Sequence, residues 1–438
     1  MIEGAAIWMF PALFALVFAG VPVGFALIVV AAIFGYGFFG EALGRQMFGR
    51  LVEVSSGFAF AAVPAFVFMG AVLEKSGIAE RLFDAMRLWL GRLPGGLALA
   101  AIAMAAIFAA ATGIIGAVEV VIGLMAIPPM MAARYDKRLV AGTICAGGSL
   151  GTIVPPSVTA VIYGLVAQVP ISDLLAGILI PGALTVGLFM GYILLRCAFD
   201  PTAGPPAPPD ERPLAEKLAL TARALLPAAA LIACVLGAIF AGIASPTEAA
   251  ATGAAGALAL AGLHGRLDAA LVRDAARRTA LVTAMIMTIV FGGTLFSSVF
   301  HVQGGGELVR GWAAFAAARP EILVPVLLGI VFAMGFVLDW ATIVLLCVPV
   351  FAPLLQSAGV DPLWFGVAML VCIQTSYLTP PMAPAIFYLQ SVAPPGMTYL
   401  DICRGVVPFL ICQLLVLAAV LAFPWTATWL PGAMGDFR

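Results

Sequence analysis

Apolar stretches of membrane-spanning length alternate with short charged segments along the whole chain. A helix needs about 20 consecutive apolar residues to cross a bilayer. Stretches of this kind predict spans at 55–76, 173–197, 224–244, 247–264, 279–302 and 405–430. The first apolar stretch, 5–40, is too long for one straight span, and its interruption at Gly20-Val21-Pro22 predicts two short helices or one broken helix. A charged amphipathic segment at 77–92 is predicted to lie flat at the membrane surface, and a basic amphipathic piece occupies 266–278.

Two apolar segments, about 139–166 and 363–390, each contain a Pro-Pro pair, Pro155-Pro156 and Pro380-Pro381. Proline lacks a backbone donor and its ring clashes with the preceding turn, so each pair opens the helix and leaves carbonyl groups without partners. At membrane depth, unwound backbone is tolerated only where protein covers it or where it lines a cavity. Broken helices of this kind bind ions and substrates in transporters. The sequence therefore predicts a transporter with two broken helices.

Two further apolar segments, about 95–133 and 320–356, are interrupted near Gly113 and Gly335 and are predicted to be re-entrant helical hairpins. The interruptions recur at a nearly constant spacing. Pro22 and Pro246 are 224 positions apart, Gly113 and Gly335 are 222 apart, and Pro155 and Pro380 are 225 apart. Three breaks in register predict an internal repeat. Its first unit is 1–197, a cytoplasmic linker rich in proline and charge occupies 198–223, and its second unit is 224–438.

The basic residues predict the orientation of the chain in the membrane. If the first hairpin enters and leaves on one side, most of the 21 Lys and Arg residues fall on that side. The positive-inside rule then makes that side cytoplasmic. Each half has five crossings and one hairpin in this arrangement, so the second half is predicted to be inverted and both termini periplasmic. The first residues, MIEGAAIWMF, lack a basic n-region and predict a retained membrane helix.

The composition supports an integral membrane protein. Hydrophobic residues make up 63% of the chain and charged residues 10%, with a mean hydropathy of +1.14, which excludes an ordinary soluble domain. The seven cysteines lack paired spacing and are predicted to be buried apolar residues rather than disulfide or metal ligands. The chain has no HExxH or GxSxG motif and no paired intramembrane aspartates, which argues against an intramembrane enzyme. The predicted fold class is an all-α polytopic membrane protein, built as an inverted repeat.

Polar residues at membrane depth cluster at the four interruptions. The hairpin tips and their flanks carry Thr112, Gly113, Gly116, Glu119, Gly335, Asp339 and Thr342. The broken helices carry Ser149, Gly151, Thr152 and Ser157, and then Gln374, Thr375, Ser376 and Thr379. Oxygen atoms suit hard cations, and helix N-termini suit anions, so each half is predicted to bind a cation and one end of an anionic substrate. The alternative is that glycines and hydroxyls only allow close helix packing.

Asp339 is the strongest single ionisable candidate, because a carboxyl group within an apolar hairpin is costly and usually functional. Glu119 is a weaker candidate. Glu248 follows Ser245-Pro246-Thr247 and is interpreted mainly as part of a capping box at a helix start. No arginine lies within the hairpins or broken helices, so the sequence offers no carboxylate clamp.

Four strings, in this order, resemble the large membrane subunit of the tripartite ATP-independent periplasmic (TRAP) transporters. They are GSLGTIVPPS (148–157), SPTEAAA (245–251), GFVLDWAT (335–342) and YLTPPMAPAIF (377–387). The resemblance implies an inner-membrane importer of organic acids, with an elevator mechanism of the ion-transporter superfamily type. Sodium would be the coupling ion, and no other cofactor is implied. A small four-helix membrane subunit and a periplasmic solute-binding protein are the implied partners. A stand-alone ion-coupled carboxylate or anion carrier with the same hairpin plan is the alternative.

The resemblance also implies two sodium sites, formed largely by backbone carbonyls. The first would use Thr112, Gly113, Gly151, Val154 and Pro156, and the second Gly335, Asp339, Thr379 and Pro381. The predicted substrate-binding residues are Ser149, Thr152, Ser157, Gln374, Thr375 and Ser376. The chain departs from the family at both tips. A Ser-Gly-Ser pattern is replaced by Thr112-Gly113-Ile114, and a Pro-Thr after the aspartate is replaced by Trp340-Ala341.

Overall fold

Proline and glycine positions divide the chain into helices, and every regular element in the described part of the computed structural model is helical. The structure describes residues 5–112, 117–208, 211–308, 311, 320–380 and 383–435. Six helices are long and apolar enough to cross a membrane, or seven when the bent pair Ala62–Lys75 and Ile78–Leu90 is taken as one span. Three of the four helices in the predicted hairpins are shorter apolar helices of 10–17 residues, whereas the fourth, Trp340–Ser357, is one of the six. These helices indicate a multi-pass membrane protein.

The first half contains eleven helices in the described residues. They are α1 (Ala5–Phe18), α2 (Val23–Phe39), α3 (Leu43–Ser56), α4 (Ala62–Lys75), α5 (Ile78–Leu90), α6 (Gly96–Thr112), α7 (Ala117–Ala132), α8 (Lys137–Ser149), α9 (Val158–Ala167), α10 (Ile171–Gly177) and α11 (Leu179–Phe199). The predicted break between α1 and α2 is confirmed, with Gly20 at a φ of 87° that favours glycine. The charged segment after α4 is a helix, α5, bent from α4 by 64°.

The second half of the chain contains nine α-helices in the described residues. Its described helices are α12 (Leu214–Phe240), α13 (Pro246–Leu263), α14 (Ala269–Phe300), α15 (Pro320–Met334), α16 (Trp340–Ser357), α17 (Pro362–Leu378), α18 (Pro384–Gln390), α19 (Tyr399–Ala422) and α20 (Trp425–Gly435). Both predicted hairpins are helix pairs, α6 with α7 and α15 with α16. Both predicted broken helices are interrupted, the first between Ser149 and Val158 and the second after Leu378.

Several boundaries differ from the sequence prediction. The basic piece at 266–278 and the span at 279–302 form one helix, α14, because the sequence there is rich in Ala, Leu and Arg and has no proline. The last predicted span divides at Pro424 into α19 and α20. Helix α3 was not predicted, and α12 begins ten residues before the predicted span at 224. Proline thus ends a helix at Pro424, whereas charged residues alone do not end α14.

Helices of the two halves pack against each other. Helix α2 of the first half packs against α14 of the second, and α13 of the second half packs against α4 of the first. Two ion pairs join the same region, Lys75 with Asp274 at 2.6 Å and Arg278 with Glu74 at 2.5 Å. The hairpins and broken helices pack together, with α8 against α7 and α16 against α9, and α8 also packs against α19. The halves therefore form one intertwined body.

The linker between the halves is anchored at its start. Gly95 and Asp136 donate backbone hydrogen bonds to Gly204 and Ala203, each over 2.9 Å. Gly204 has no room for a side chain, because an added Cβ would lie 2.7 Å from the Cys197 sulfur. The end of the predicted linker is already the first part of α12. At the start of α13, Ser245 and Glu248 form the predicted capping box, which confirms the structural role of that glutamate.

Candidate functional site

The first break is held open by hydroxyl groups that bind the backbone. Helix α8 ends at Ser149, and a 3₁₀ turn, Leu150–Thr152, leads to the cis Pro155-Pro156 peptide. The Ser149 hydroxyl donates to the Ala146 carbonyl over 2.7 Å, and the Thr152 hydroxyl donates to the Ser149 carbonyl over 2.8 Å. All of these hydroxyls are buried, so they satisfy backbone acceptors that the opened helix leaves free.

Ser157 closes the same break from the other side. Its hydroxyl donates to the Thr152 carbonyl over 2.7 Å and accepts from the Ala160 amide over 3.4 Å, which makes it the N-cap of α9. Gly151, Val154 and Pro156 lie within the break itself. The predicted substrate residue Ser157 therefore has an evident structural task.

The second break follows the same principle. Thr379 ends α17, and its hydroxyl donates to the Thr375 carbonyl over 2.7 Å. The hydroxyls of Thr375 and Ser376 both donate to the Cys372 carbonyl, over 2.5 and 3.2 Å. Pro381, predicted as a sodium ligand, lies outside the described residues. The Thr379 hydroxyl thus binds the backbone at the end of α17, whereas those of Thr375 and Ser376 bind within the helix.

The second hairpin tip meets the second broken helix directly. Gly335 lies so close to α17 that an added Cβ would be 2.2 Å from the Cβ of Ser376. Asp339 caps α16: its Oδ2 accepts from the amides of Ala341 and Thr342 over 3.1 and 3.4 Å, and its Oδ1 accepts from the Thr342 hydroxyl. The carboxyl group is therefore largely occupied by its own helix, and the tip offers mainly backbone carbonyls.

At the first hairpin tip, the described part ends with Thr112. This residue is buried, and its hydroxyl donates to the Phe108 carbonyl over 2.9 Å. Its carbonyl oxygen lies against Gly70 of α4, where an added Cβ would be only 2.5 Å away. Gly113, Ile114 and Gly116 lie outside the described residues. The first tip thus packs against α4, with a glycine at the contact.

A cavity of about 660 Å³ lies where these elements meet. Thr152 of the first break lines it together with Gly335 and Asp339 of the second hairpin tip and Ser376 of α17. The start of α2 and the middle of α14 also line it. Two of the predicted sodium residues and two of the predicted substrate residues are therefore brought together in one cavity, and they come from both halves of the chain.

The other predicted residues lie apart from the described lining of this cavity. They are Thr112, Gly151, Val154, Pro156 and Thr379 of the sodium prediction, and Ser149, Ser157, Gln374 and Thr375 of the substrate prediction. The hydroxyl oxygen of Ser149 instead accepts hydrogen bonds from two buried side-chain amides, Gln374 Nε2 at 3.4 Å and Gln413 Nε2 at 3.0 Å. The Oε1 atoms of both glutamines have no hydrogen-bond partner among the described residues. Ser149 thus joins α8 to α17 and α19.

Sequence reasoning missed Gln413 and the aromatic lining of the cavity. Gln413 is the one side-chain amide in the apolar helix α19. A lone polar side chain in such a helix could have marked it as a candidate. Four aromatic residues line the cavity: Phe25, Trp340, Tyr377 and Tyr388. Three of them lie next to breaks or tips, but nothing local shows that they face one cavity. No Lys, Arg or His side chain is found in the described lining.

Comparisons with known proteins agree on one family. The model described as "Tripartite ATP-independent periplasmic transporter, DctM component" matches residues 10–426. The sialic acid TRAP transporter large permease protein SiaM of Vibrio cholerae is 30% identical over 426 residues, which cover 95% of this chain and 96% of that protein. The C4-dicarboxylate TRAP transporter large permease protein DctM of Pseudomonas aeruginosa is 27% identical over 392 residues, which cover 89% and 90%.

A solved structure has the same overall arrangement. The crystal structure of the Alcanivorax borkumensis YdaH transporter matches with a TM-score of 0.61, over 95% of this chain and 100% of that one. The sequence identity is 17%, so this likeness concerns the fold alone.

Proposed function

The chain belongs to the DctM family, the large membrane components of tripartite ATP-independent periplasmic transporters, and from that premise we propose that it imports a small organic carboxylate together with sodium ions. The family membership confirms the resemblance drawn from the four sequence strings. The observation that carries the proposal is the cavity in which Thr152, Gly335, Asp339 and Ser376 converge from a hairpin tip and both broken helices. Such convergence of discontinuous helices is the usual construction of a transporter binding site.

Sodium would bind at the two tips. The first site is formed by Thr112, Gly113, Gly151, Val154 and Pro156, and the second by Gly335, Asp339, Thr379 and Pro381. The close contact between Gly335 and Ser376 supports the second site, because it brings the carbonyls of the tip next to those of the broken helix. Hard cations take oxygen ligands, and opened helix ends supply them. The Asp339 carboxyl group already caps α16. It would therefore contribute negative charge to the site rather than a freely available ligand oxygen.

The carboxylate would bind at helix N-termini. Helix α2 begins at the cavity without a side-chain cap, so the amides of Val23, Gly24 and Phe25 face no acceptor from their own helix. Free amides and the positive end of the helix dipole favour an anion. The names of two relatives specify a C4-dicarboxylate and sialic acid, both of which are organic acids. Bound sodium would supply the remaining positive charge in a cavity whose described lining has no basic residue.

An inverted repeat and an elevator movement complete the proposal. Ser149 contacts Gln374, 225 positions away, and the Cys412 sulfur contacts the Leu188 carbonyl, 224 positions away. Both separations equal the repeat spacing in the sequence. Residues that touch their own counterparts lie near an axis of two-fold symmetry, which supports two related halves. The hairpins and broken helices would move as one body relative to the helix pairs α2–α14 and α4–α13, which pack across the two halves.

We propose that the chain lies in the bacterial inner membrane with both termini in the periplasm. It would act with a small four-helix membrane subunit and a periplasmic solute-binding protein. Purification from native membranes tests the assembly, because a small membrane protein copurifies in this proposal. A stand-alone carrier of the same hairpin plan would copurify with none.

Uptake into proteoliposomes tests the function. The solute-binding protein is first screened against organic acids, and the acid that binds is labelled. Uptake should require an inward sodium gradient, the small subunit and the binding protein. Uptake that persists with potassium in place of sodium, or that requires ATP, would contradict the proposal.

A further inference from the structure

A fully buried acidic side chain, Glu119, lies between the two halves and takes no part in the sites proposed above. It belongs to α7, the second helix of the first hairpin, and it is 0% exposed. Gly148 of α8 makes room for it, because an added Cβ at this glycine would lie 1.6 Å from the Cγ of Glu119. The Glu119 side chain therefore passes α8 at Gly148 and reaches α17.

The carboxyl group of Glu119 meets one donor at its far end. The Tyr377 hydroxyl donates to Oε2 over 3.1 Å, whereas Oε1 has no hydrogen-bond partner among the described residues. Within the part of the chain that the structure describes, Glu119 forms no ion pair. Tyr377 follows Ser376 in α17, and both residues line the cavity. One hydrogen bond thus connects the first hairpin to the cavity wall of the second site.

We propose that Glu119 is a positioning residue for the second sodium site. Its hydrogen bond to Tyr377 holds the end of α17, and with it Ser376, against the tip of the second hairpin at Gly335. Sodium binding at this site belongs to the proposed function, on which the positioning role rests. The contact between Gly335 and Ser376 leaves no spare room, so a small shift of α17 alters the spacing between tip and broken helix.

The hydrogen bond requires an acceptor oxygen at position 119 and does not require a charge. A glutamine side chain has the same length and offers an amide oxygen to the Tyr377 hydroxyl. A leucine fills much of the same volume but offers no acceptor. The pair of variants Glu119→Gln and Glu119→Leu therefore separates positioning by the hydrogen bond from simple filling of space.

The test uses the purified full chain and measures the NaCl concentration that gives half-maximal thermal stabilisation, with KCl as the reference salt. Glu119→Gln should match the wild type within about twofold. Glu119→Leu and Tyr377→Phe should each raise this concentration about tenfold, because each removes a buried hydrogen bond. The double variant should be no worse than either single one, since both lose the same bond.

Tyr163→Phe is the matched control. The Tyr163 hydroxyl is buried and donates to the Pro362 carbonyl over 3.0 Å, away from the cavity lining, so its loss should leave the sodium requirement unchanged. A sodium requirement that rises equally in Glu119→Gln and Glu119→Leu would overturn the proposal, and so would an unchanged requirement in Glu119→Leu.

A different result concerns the proposed function itself. If NaCl stabilises the wild type no better than KCl does, sodium coupling fails. The hydrogen bond is then judged by melting temperatures in KCl. Additive losses for Glu119→Leu and Tyr377→Phe would overturn the hydrogen bond as a link between the first hairpin and α17. Non-additive losses would support that link, while its role at a sodium site falls with the proposed function.

Discussion

The side-chain amide of Gln374 donates to the hydroxyl oxygen of Ser149, 225 positions earlier in the chain, over 3.4 Å. The two residues lie in α17 and α8, the first parts of the two broken helices. A third residue, Gln413 of α19, donates to the same oxygen over 3.0 Å. One serine hydroxyl therefore holds two buried amides where the halves meet.

Ser149→Ala should destabilise the protein, because both amide groups lose their acceptor. A buried donor left unsatisfied costs about 1–3 kcal/mol. Thermal or chemical unfolding of the purified chain measures the effect. The control is Thr428→Ala, which removes an exposed hydroxyl that donates to the Pro424 carbonyl. Equal stability of the two variants would show that the Ser149 contacts do not hold the halves together.

Gly335→Ala should abolish most sodium-dependent uptake, because the added Cβ would lie 2.2 Å from the Cβ of Ser376 and force the tip away from α17. We expect a loss of more than about tenfold, in line with the sensitivity of a binding geometry to shifts of about 1 Å. Gly329→Ala is the matched control in the preceding helix, α15, because nothing lies within 4 Å of its added Cβ. Uptake that survives equally well in both variants would argue against a functional contact at Gly335.

Asp339 should affect both folding and sodium binding, and two substitutions separate these effects. Asp339→Asn keeps the cap on α16 and should leave stability nearly unchanged while it raises the sodium concentration needed for half-maximal uptake. Asp339→Ala also loses the cap, which costs about 1 kcal/mol. An Asp339→Asn variant with unchanged sodium dependence would show that the charge has no part in the site.

Ser245→Ala provides the comparison for a purely structural cap. Ser245 and Glu248 form a capping box that is exposed and is not part of the described cavity lining. The variant should lose about 1 kcal/mol of stability through the cap alone. Uptake per folded protein should keep the sodium dependence of the wild type. A changed sodium dependence would mean that α13 is coupled to the site.

Proline and glycine made much of this architecture predictable. Pro155, Pro380 and Gly20 act through local backbone chemistry, so the breaks could be located without any knowledge of tertiary contacts. The helices of the hairpins followed from the lengths of the apolar segments between such breaks. The charged positions at 266–278 were less informative, because charge alone does not end a helix and α14 continues through them.

The contacts between distant helices could not be predicted in the same way. Gln413 and Tyr377 lie in ordinary apolar helices, and only the packing of α7, α8, α17 and α19 brings them to Ser149 and Glu119. The predicted substrate residues were chosen for their polarity near the breaks. Among them, Thr152 and Ser376 line the cavity. The hydroxyls of Thr152, Ser157, Thr375 and Ser376 all donate to backbone carbonyls, so polarity alone did not separate binding residues from structural ones.

Coupled sodium entry is the most direct measurement of the central claim. Proteoliposomes containing the chain and its partners are supplied with radioactive sodium outside, with and without the acid bound by the solute-binding protein. The account predicts that the acid accelerates sodium entry and that Gly335→Ala abolishes this acceleration while Gly329→Ala retains it. Sodium entry that is indifferent to the acid in the wild type would contradict the account.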